Sequence, residues 1–151
     1  MAENFMEWED RLSIGIPVID IQHRRLVEIT NKLYEACRQG GRAIRGHFIA
    51  TLHETVDYTC YHFGTEDKIM QRIRYPEYAA HKKEHDDFII KVLKQMQDYE
   101  DEKIYAPHAM VRYLRDWILS HIAITDLKLG TYLLEMKKTG ALGKVIIEPE
   151  N

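Results

Sequence analysis

Two cysteines, four prolines and no long apolar run set the first limits on this chain of 151 residues. A disulfide framework is excluded at that count. Cys37 and Cys60 both fall in apolar-periodic segments and read as buried, reduced thiols, as expected of a cytoplasmic protein. No stretch approaches the ~20 apolar residues of a membrane span. The acidic opening MAENFMEWEDRL has no apolar run of the secretory kind. Positive charge is not concentrated anywhere: 21 Lys and Arg against 24 Asp and Glu leave a net charge of −3. The electrostatic footprint of a nucleic-acid binder is therefore missing. Sustained period-two alternation is absent too, which argues against strands, and there is no internal repeat. What is present is a globular composition, 45% hydrophobic and 30% charged, at a length that suits one domain over 1–151.

Helical periodicity fills the chain. After Pro17, which can open a helix, Ile19, His23, Leu26, Thr30, Leu33 and Cys37 advance by fours and threes towards a stop at Gly40-Gly41. A second stripe runs Phe48, Leu52, Thr55, Thr59, His62, Glu66, Ile69, Ile73 and ends before Tyr75-Pro76. The third runs Tyr78, His81, His85, Phe88, Val92, Gln95, Tyr99 and breaks in the charged residues 100–103. Pro107 opens the fourth, with Met110, Leu114, Trp117, His121 and Ile124, and residues 127–139 continue it or add a short helix. The expected fold is all-α, an up-down-up-down four-helix bundle over about 17–134. An N-terminal arm, 1–16, precedes it, and a C-terminal extension, about 135–151, follows. From Gly140 the tail has no helical period and reads as an extended arm or, more simply, a loose end.

Histidine is in surplus, eight residues, and "HFGTEDKIMQRIRYPEYAAHKKEH" places His62/Glu66 and His81/His85 at four-residue spacing. Such pairs lie about 40° apart on a helix and point one way. At ~1.5 Å rise per residue, heights above each turn can be compared. His23 and His62 stand roughly 26 and 32 Å from the first turn. His62 and Glu66 stand about 18 and 12 Å from the second, His85 and His81 about 16 and 10 Å. From the third, His85 and His81 lie roughly 27 and 33 Å up, His121 and Asp126 roughly 27 and 34 Å. Seven residues converge on one layer.

Unpaired carboxylates and imidazoles buried in a core cost several kcal/mol, and a cation supplies the partner. Nitrogen and oxygen donors without thiolate suit iron, zinc or manganese, and seven ligands imply two ions. Any single histidine on an apolar face is as often a hydrogen-bonded core residue as a ligand. His47, His53 and His108 fall off the layer or the stripe and are read that way. Asp126 fits least, because five residues from His121 is about 140° round an ideal helix. A π-bulge would re-aim it.

Four motifs carry a family likeness: "WEDRLSIGIPVIDIQH", "HFGTE", "HKKEH" and "HIAITD". In order and with their spacing preserved over about Met6 to Leu134, they resemble the hemerythrin family, in its single-domain bacterial form. The resemblance implies that His81, His85 and His121 hold one iron and His23 and His62 the other. Glu66 and Asp126 would bridge both, with a solvent-derived oxygen. Two octahedral irons offer twelve positions and these ligands fill eleven, so dioxygen, or a small anion such as azide, would enter on the iron of His23 and His62. The implied function is reversible dioxygen binding for transport, storage or delivery, not enzymatic turnover, with the recipient of the oxygen unspecified. Catalytic di-iron bundles use Glu-x-x-His pairs, and none occurs here. Ile19, Leu26, Phe63 and Trp117 are expected to line the oxygen pocket, with Ile124 in the same wall.

Two rivals remain at this stage. The same centre could serve oxygen or redox sensing, or iron and peroxide handling. More remotely, His81-Lys-Lys-Glu84-His85 fits His-x-x-Glu-His, a zinc-peptidase pattern with Glu84 as general base. It leaves the other five layer residues without a role.

Overall fold

A computed structural model describes residues 4–39, 45–102, 107–145 and 147–149. Among them every regular element is helical. Helix α1 spans Pro17–Gln39, α2 Arg45–Arg72, α3 Tyr78–Glu100 and α4 Pro107–His121. A π-helical turn, Ile122–Asp126, joins α4 to α5, Leu127–Thr139, in one rod. α1 packs against α2 and α4, and α2 against α3, the neighbour order of the expected bundle. The stop at Gly40-Gly41 lies outside the described residues. No described helix is long and apolar enough to cross a membrane.

Local chemistry fixes the ends. Asp20, in the first turn of α1, accepts from Ser13 Oγ at 2.7 Å and from the backbone N–H groups of Ile14 and Gly15 at 2.8 and 3.2 Å. A carboxylate there also suits the positive end of the helix dipole. Helix α2 ends with Arg74 left-handed (φ 53°), while the Tyr75 N–H reaches the Met70 carbonyl at 2.9 Å and Arg74 N–H that of Gln71 at 3.2 Å. This closes the helix end before Pro76. Gly140 (φ 73°) closes α5 by the same pattern, with Ala141 N–H on the Met136 carbonyl at 2.9 Å.

The core comes in three parts. One apolar cluster, including Leu33, Phe48, Leu52, Phe63, Val92 and Leu114, fills the bundle on one side of the histidine layer. A second, including Ile16, Ile19, Ile69, Met70, Leu129 and Leu133, fills the other side. Met6 and Leu12 of the arm join Val27, Ile118 and Ile122 in a third. The arm is bound as well as packed: Asn31 accepts from Met6 N–H at 2.7 Å and donates to its carbonyl at 2.8 Å.

Three expectations need correction. The tail is not a loose end where it is described: Ile147 is buried in the second cluster, and its carbonyl takes the Val18 N–H at 3.0 Å. Pro17 has no N–H, so Val18 offers the first free backbone donor of α1. Cys37 is buried but Cys60 is exposed, because it falls on the outer side of the stripe set by Thr59 and His62. Ile124 is 60% exposed, since the π turn shifts the register after His121 and carries it outwards.

Candidate metal centre

The four helices bring His23, His62, Glu66, His81, His85, His121 and Asp126 into one buried layer, none more than 5% exposed. α1 supplies His23. α2 supplies His62 and Glu66, and α3 supplies His81 and His85, each pair one turn apart. His121 ends α4, and Asp126 ends the π turn. There the N–H of Leu127 reaches the carbonyl of Ile122, five residues back. The extra residue in that turn brings Asp126 round to the face of His121. His47, His53 and His108 are exposed, and His53 pairs with Glu100 at 2.8 Å.

The donor atoms sort into two groups. One holds His23 and His62, the other His81, His85 and His121, and Glu66 and Asp126 belong to both. Glu66 Oε1 lies 3.5 and 3.1 Å from the Nε2 atoms of His23 and His62, while its Oε2 lies 3.2 Å from those of His81 and His85. Asp126 Oδ2 lies 3.0 Å from His23 Nε2, and Oδ1 lies 3.2 and 3.0 Å from His81 and His121. Each carboxylate gives one oxygen to each group. Within the groups, Nε2 atoms stand 3.0–3.1 Å apart, as in His23/His62, His81/His85 and His85/His121. Ligands about 2.1 Å from a first-row ion and at right angles to one another stand about 3.0 Å apart.

Residues 14–133 match the model of the hemerythrin HHE cation-binding domain. The chain belongs to the hemerythrin family. A bacteriohemerythrin of Stenotrophomonas maltophilia (strain R551-3) is 38% identical over 119 residues, 79% of this chain and 75% of that one. Another, from Clostridium acetobutylicum, is 33% identical over 124 residues, covering 79% of this chain and 94% of its own. The crystal structure of a wild-type hemerythrin superposes with a TM-score of 0.76 at 28% identity, over 84% of this chain and 96% of that one.

Within this hemerythrin bundle the donor set fits a pair of cations. Glu66 Oε1 and both oxygens of Asp126 are buried, and no neighbouring nitrogen is aligned to hydrogen-bond them. Burial favours the neutral acids, yet Glu66 stays well below the ordinary carboxylate range because the adjacent imidazoles of His62, His23 and His81 outweigh it. Asp126 is also lowered: burial and Glu66 oppose this, and His121 and His23 prevail. Reciprocally, burial lowers His23 and His81, but the close carboxylates of Asp126 and Glu66 raise them to about 9 and about 10. The layer is thus built to hold positive charge, as protons on imidazole or as metal, and the two compete.

Behind the donors, sequence reasoning missed two partners. Gln22 Oε1 lies 2.8 Å from His62 Nδ1, and its amide donates to Thr65 Oγ1 at 3.1 Å. Glu84 Oε2 lies 2.8 Å from His121 Nδ1 and also accepts from Thr125 Oγ1 at 2.8 Å. Gln22 falls inside the first of the four motifs and Glu84 inside the third, but neither position has a periodicity that marks a hydrogen bond to a neighbouring helix. Of the expected pocket residues, Ile19 and Leu26 are buried on α1 near His23. Phe63 stacks on His85 at 3.7 Å and Trp117 on His121 at 4.4 Å, so both cover the three-imidazole group.

Proposed function

We propose that the chain binds dioxygen reversibly at a pair of non-haem iron ions, as one unit over 1–151, for oxygen transport, storage or delivery. His81, His85 and His121 would hold one ion, His23 and His62 the other, with Glu66 and Asp126 bridging. The observation that carries this reading is the division of each carboxylate between an unequal two- and three-imidazole group. The unequal division supports a position for dioxygen, and for azide as a competitor, beside His23 and His62. A pair of ferrous ions held by these residues would supply the two electrons that dioxygen takes up and returns, one from each ion.

The chain's own residues supply the rest. Five neutral imidazoles and only two carboxylates give a weakly anionic donor set, which favours release of intact dioxygen over its cleavage. Leu26 is buried on α1 one turn from His23, 2% exposed. With Ile19 it keeps water from the His23 and His62 side. The stacked rings of Phe63, Phe88 and Trp117 close the opposite side, Phe88 lying 3.9 Å from Trp117. A zinc-peptidase role for Glu84 finds no support, because its carboxylate sits at Nδ1 of His121, behind the donor atoms. The reading places the protein in the cytoplasm as a binding protein and not an enzyme. Metal analysis tests it: two irons per chain are expected, and a single zinc with peptidase activity would replace the reading.

A further inference from the structure

The two halves of the centre are backed differently. Behind His62 stands a neutral amide, Gln22, oriented by Thr65. Behind His121 stands a carboxylate, Glu84, whose one oxygen takes hydrogen bonds from both His121 Nδ1 and Thr125. A second carboxylate is close on the same side: Asp67 Oδ1 lies 3.5 Å from His85 Nδ1, with Lys82 Nζ 3.9 Å from its other oxygen. The Nδ1 atoms of His23, His81 and His85 have no hydrogen-bond partner, so Asp67 is close to His85 without bonding it.

We propose that Glu84 is a positioning residue that makes the three-imidazole half of the centre the stronger electron donor, while tying the π turn to α3. This rests on the two-iron reading above. A half-exposed glutamate in an ion pair would ordinarily contribute little. Here its partner is a nitrogen on a side chain 3% exposed, so the contact fixes which ring nitrogen carries the proton. With Nδ1–H donated to a carboxylate, Nε2 is free and more basic, and the metal it faces is held more tightly in its higher charge state. Gln22 fixes the same tautomer at His62 without adding charge. The second bond of Glu84 reaches Thr125, inside the π turn and one residue before Asp126. A single carboxylate on α3 therefore orients one ligand and braces the turn that presents another. With metal bound, the resulting asymmetry would give the three-imidazole half the lower reduction potential and leave the more weakly donating half to take the exogenous ligand.

The test compares Glu84→Gln, Thr125→Val and Gln22→Glu in the iron-loaded and the zinc-loaded protein. In Glu84→Gln, an isosteric change at an exposed position, one of the two sites should lose about 10- to 100-fold in metal affinity. The reduction potential of that half should move positive, and the His121 Nδ1–H resonance of the zinc-loaded protein should move upfield. Thr125→Val, which keeps the charge, should give a smaller shift of the same sign. Gln22→Glu should move the other half negative. Unchanged potentials and affinities in a Glu84→Gln protein that still binds two metals would overturn the proposal, as would equal shifts in both halves. Failure of the unaltered protein to bind two metals would overturn the two-iron reading itself, and is seen before any variant is made.

Discussion

The α2–α3 hairpin and the α4–α5 rod deliver ligands to the same layer by opposite means. In the hairpin, His62/Glu66 and His81/His85 sit four apart on unbroken helices, so regular geometry alone aims both members of each pair inwards. In the rod, His121 and Asp126 sit five apart, and only the π turn between them returns the carboxylate to the core. The rod needs support that the hairpin does not. The Asp10–Leu12 turn of the arm packs on the π turn, Glu84 holds Thr125, and Ile14 lies tightly over Gly130. Regular helices present functional groups through the sequence's own period, whereas an irregular turn presents them through contacts made elsewhere.

Removing a shared ligand should have the largest effect. Glu66→Ala takes one oxygen from each group and should abolish both metals, whereas His121→Ala should lose at least one and His47→Ala or His108→Ala none, as read by iron content. Deleting Ala123 breaks the comparison more selectively: it should turn the π turn into regular helix and leave the carboxylate four residues from His121, the spacing of the hairpin pairs. Both irons should then be retained while circular dichroism stays helical; their loss would show that the π turn itself, and not only the inward aim of the carboxylate, is needed.

The same contrast explains what was legible in the sequence. The four helices and their proline-marked boundaries followed from periodicity, and so did the common height of the seven polar residues. Asp126 could be aimed only by invoking a π-bulge or the family likeness, and Ile124 was misplaced for the same reason: a one-residue register shift is invisible to a period of 3.6. The buried arm residues Met6, Leu12, Ile14 and Ile16, and Ile147 of the tail, belong to non-periodic segments whose packing depends on the finished bundle. Phe63 and Trp117 are expected to line the pocket beside His23 and His62, yet they stack on His85 and His121; helical period gives the height of a ring but not which neighbouring imidazole it covers.

Metal removal should come next in size. At about a thousandfold excess over Kd, a ligand bound only by the native state adds about 4 kcal/mol, a melting shift on the order of 10 °C at this chain length. The pH dependence should invert between the two forms. In the metal-free protein His23 and His81 are raised from 6.5 to about 9 and about 10. Their contribution is complete below pH 6.5 and is lost as pH rises through 9 and 10. In the loaded protein the imidazoles must be neutral, so stability falls instead as acid displaces the metal. Parallel melting curves against pH would contradict the proton–metal competition.

Smaller effects sharpen the rod's side of the comparison. A Cβ at Gly130 would lie 2.6 Å from the Ile14 carbonyl oxygen and 2.9 Å from its Cβ, so Gly130→Ala must displace the arm. A cost of about 1–3 kcal/mol is expected from such overpacking, read as a lower melting temperature. Leu26→Ala should leave iron content unchanged and speed autoxidation severalfold, measured as decay of the oxygenated spectrum, by admitting water beside His23.

The central claim is that two irons in this layer take up dioxygen and give it back. Its most direct test is the visible spectrum of the reduced, two-iron protein carried through a cycle of oxygen addition and removal. The account predicts a nearly colourless reduced form, a charge-transfer band on adding oxygen, and its loss on removal with both irons retained. A band that never forms, or one that forms once and cannot be reversed, would contradict it.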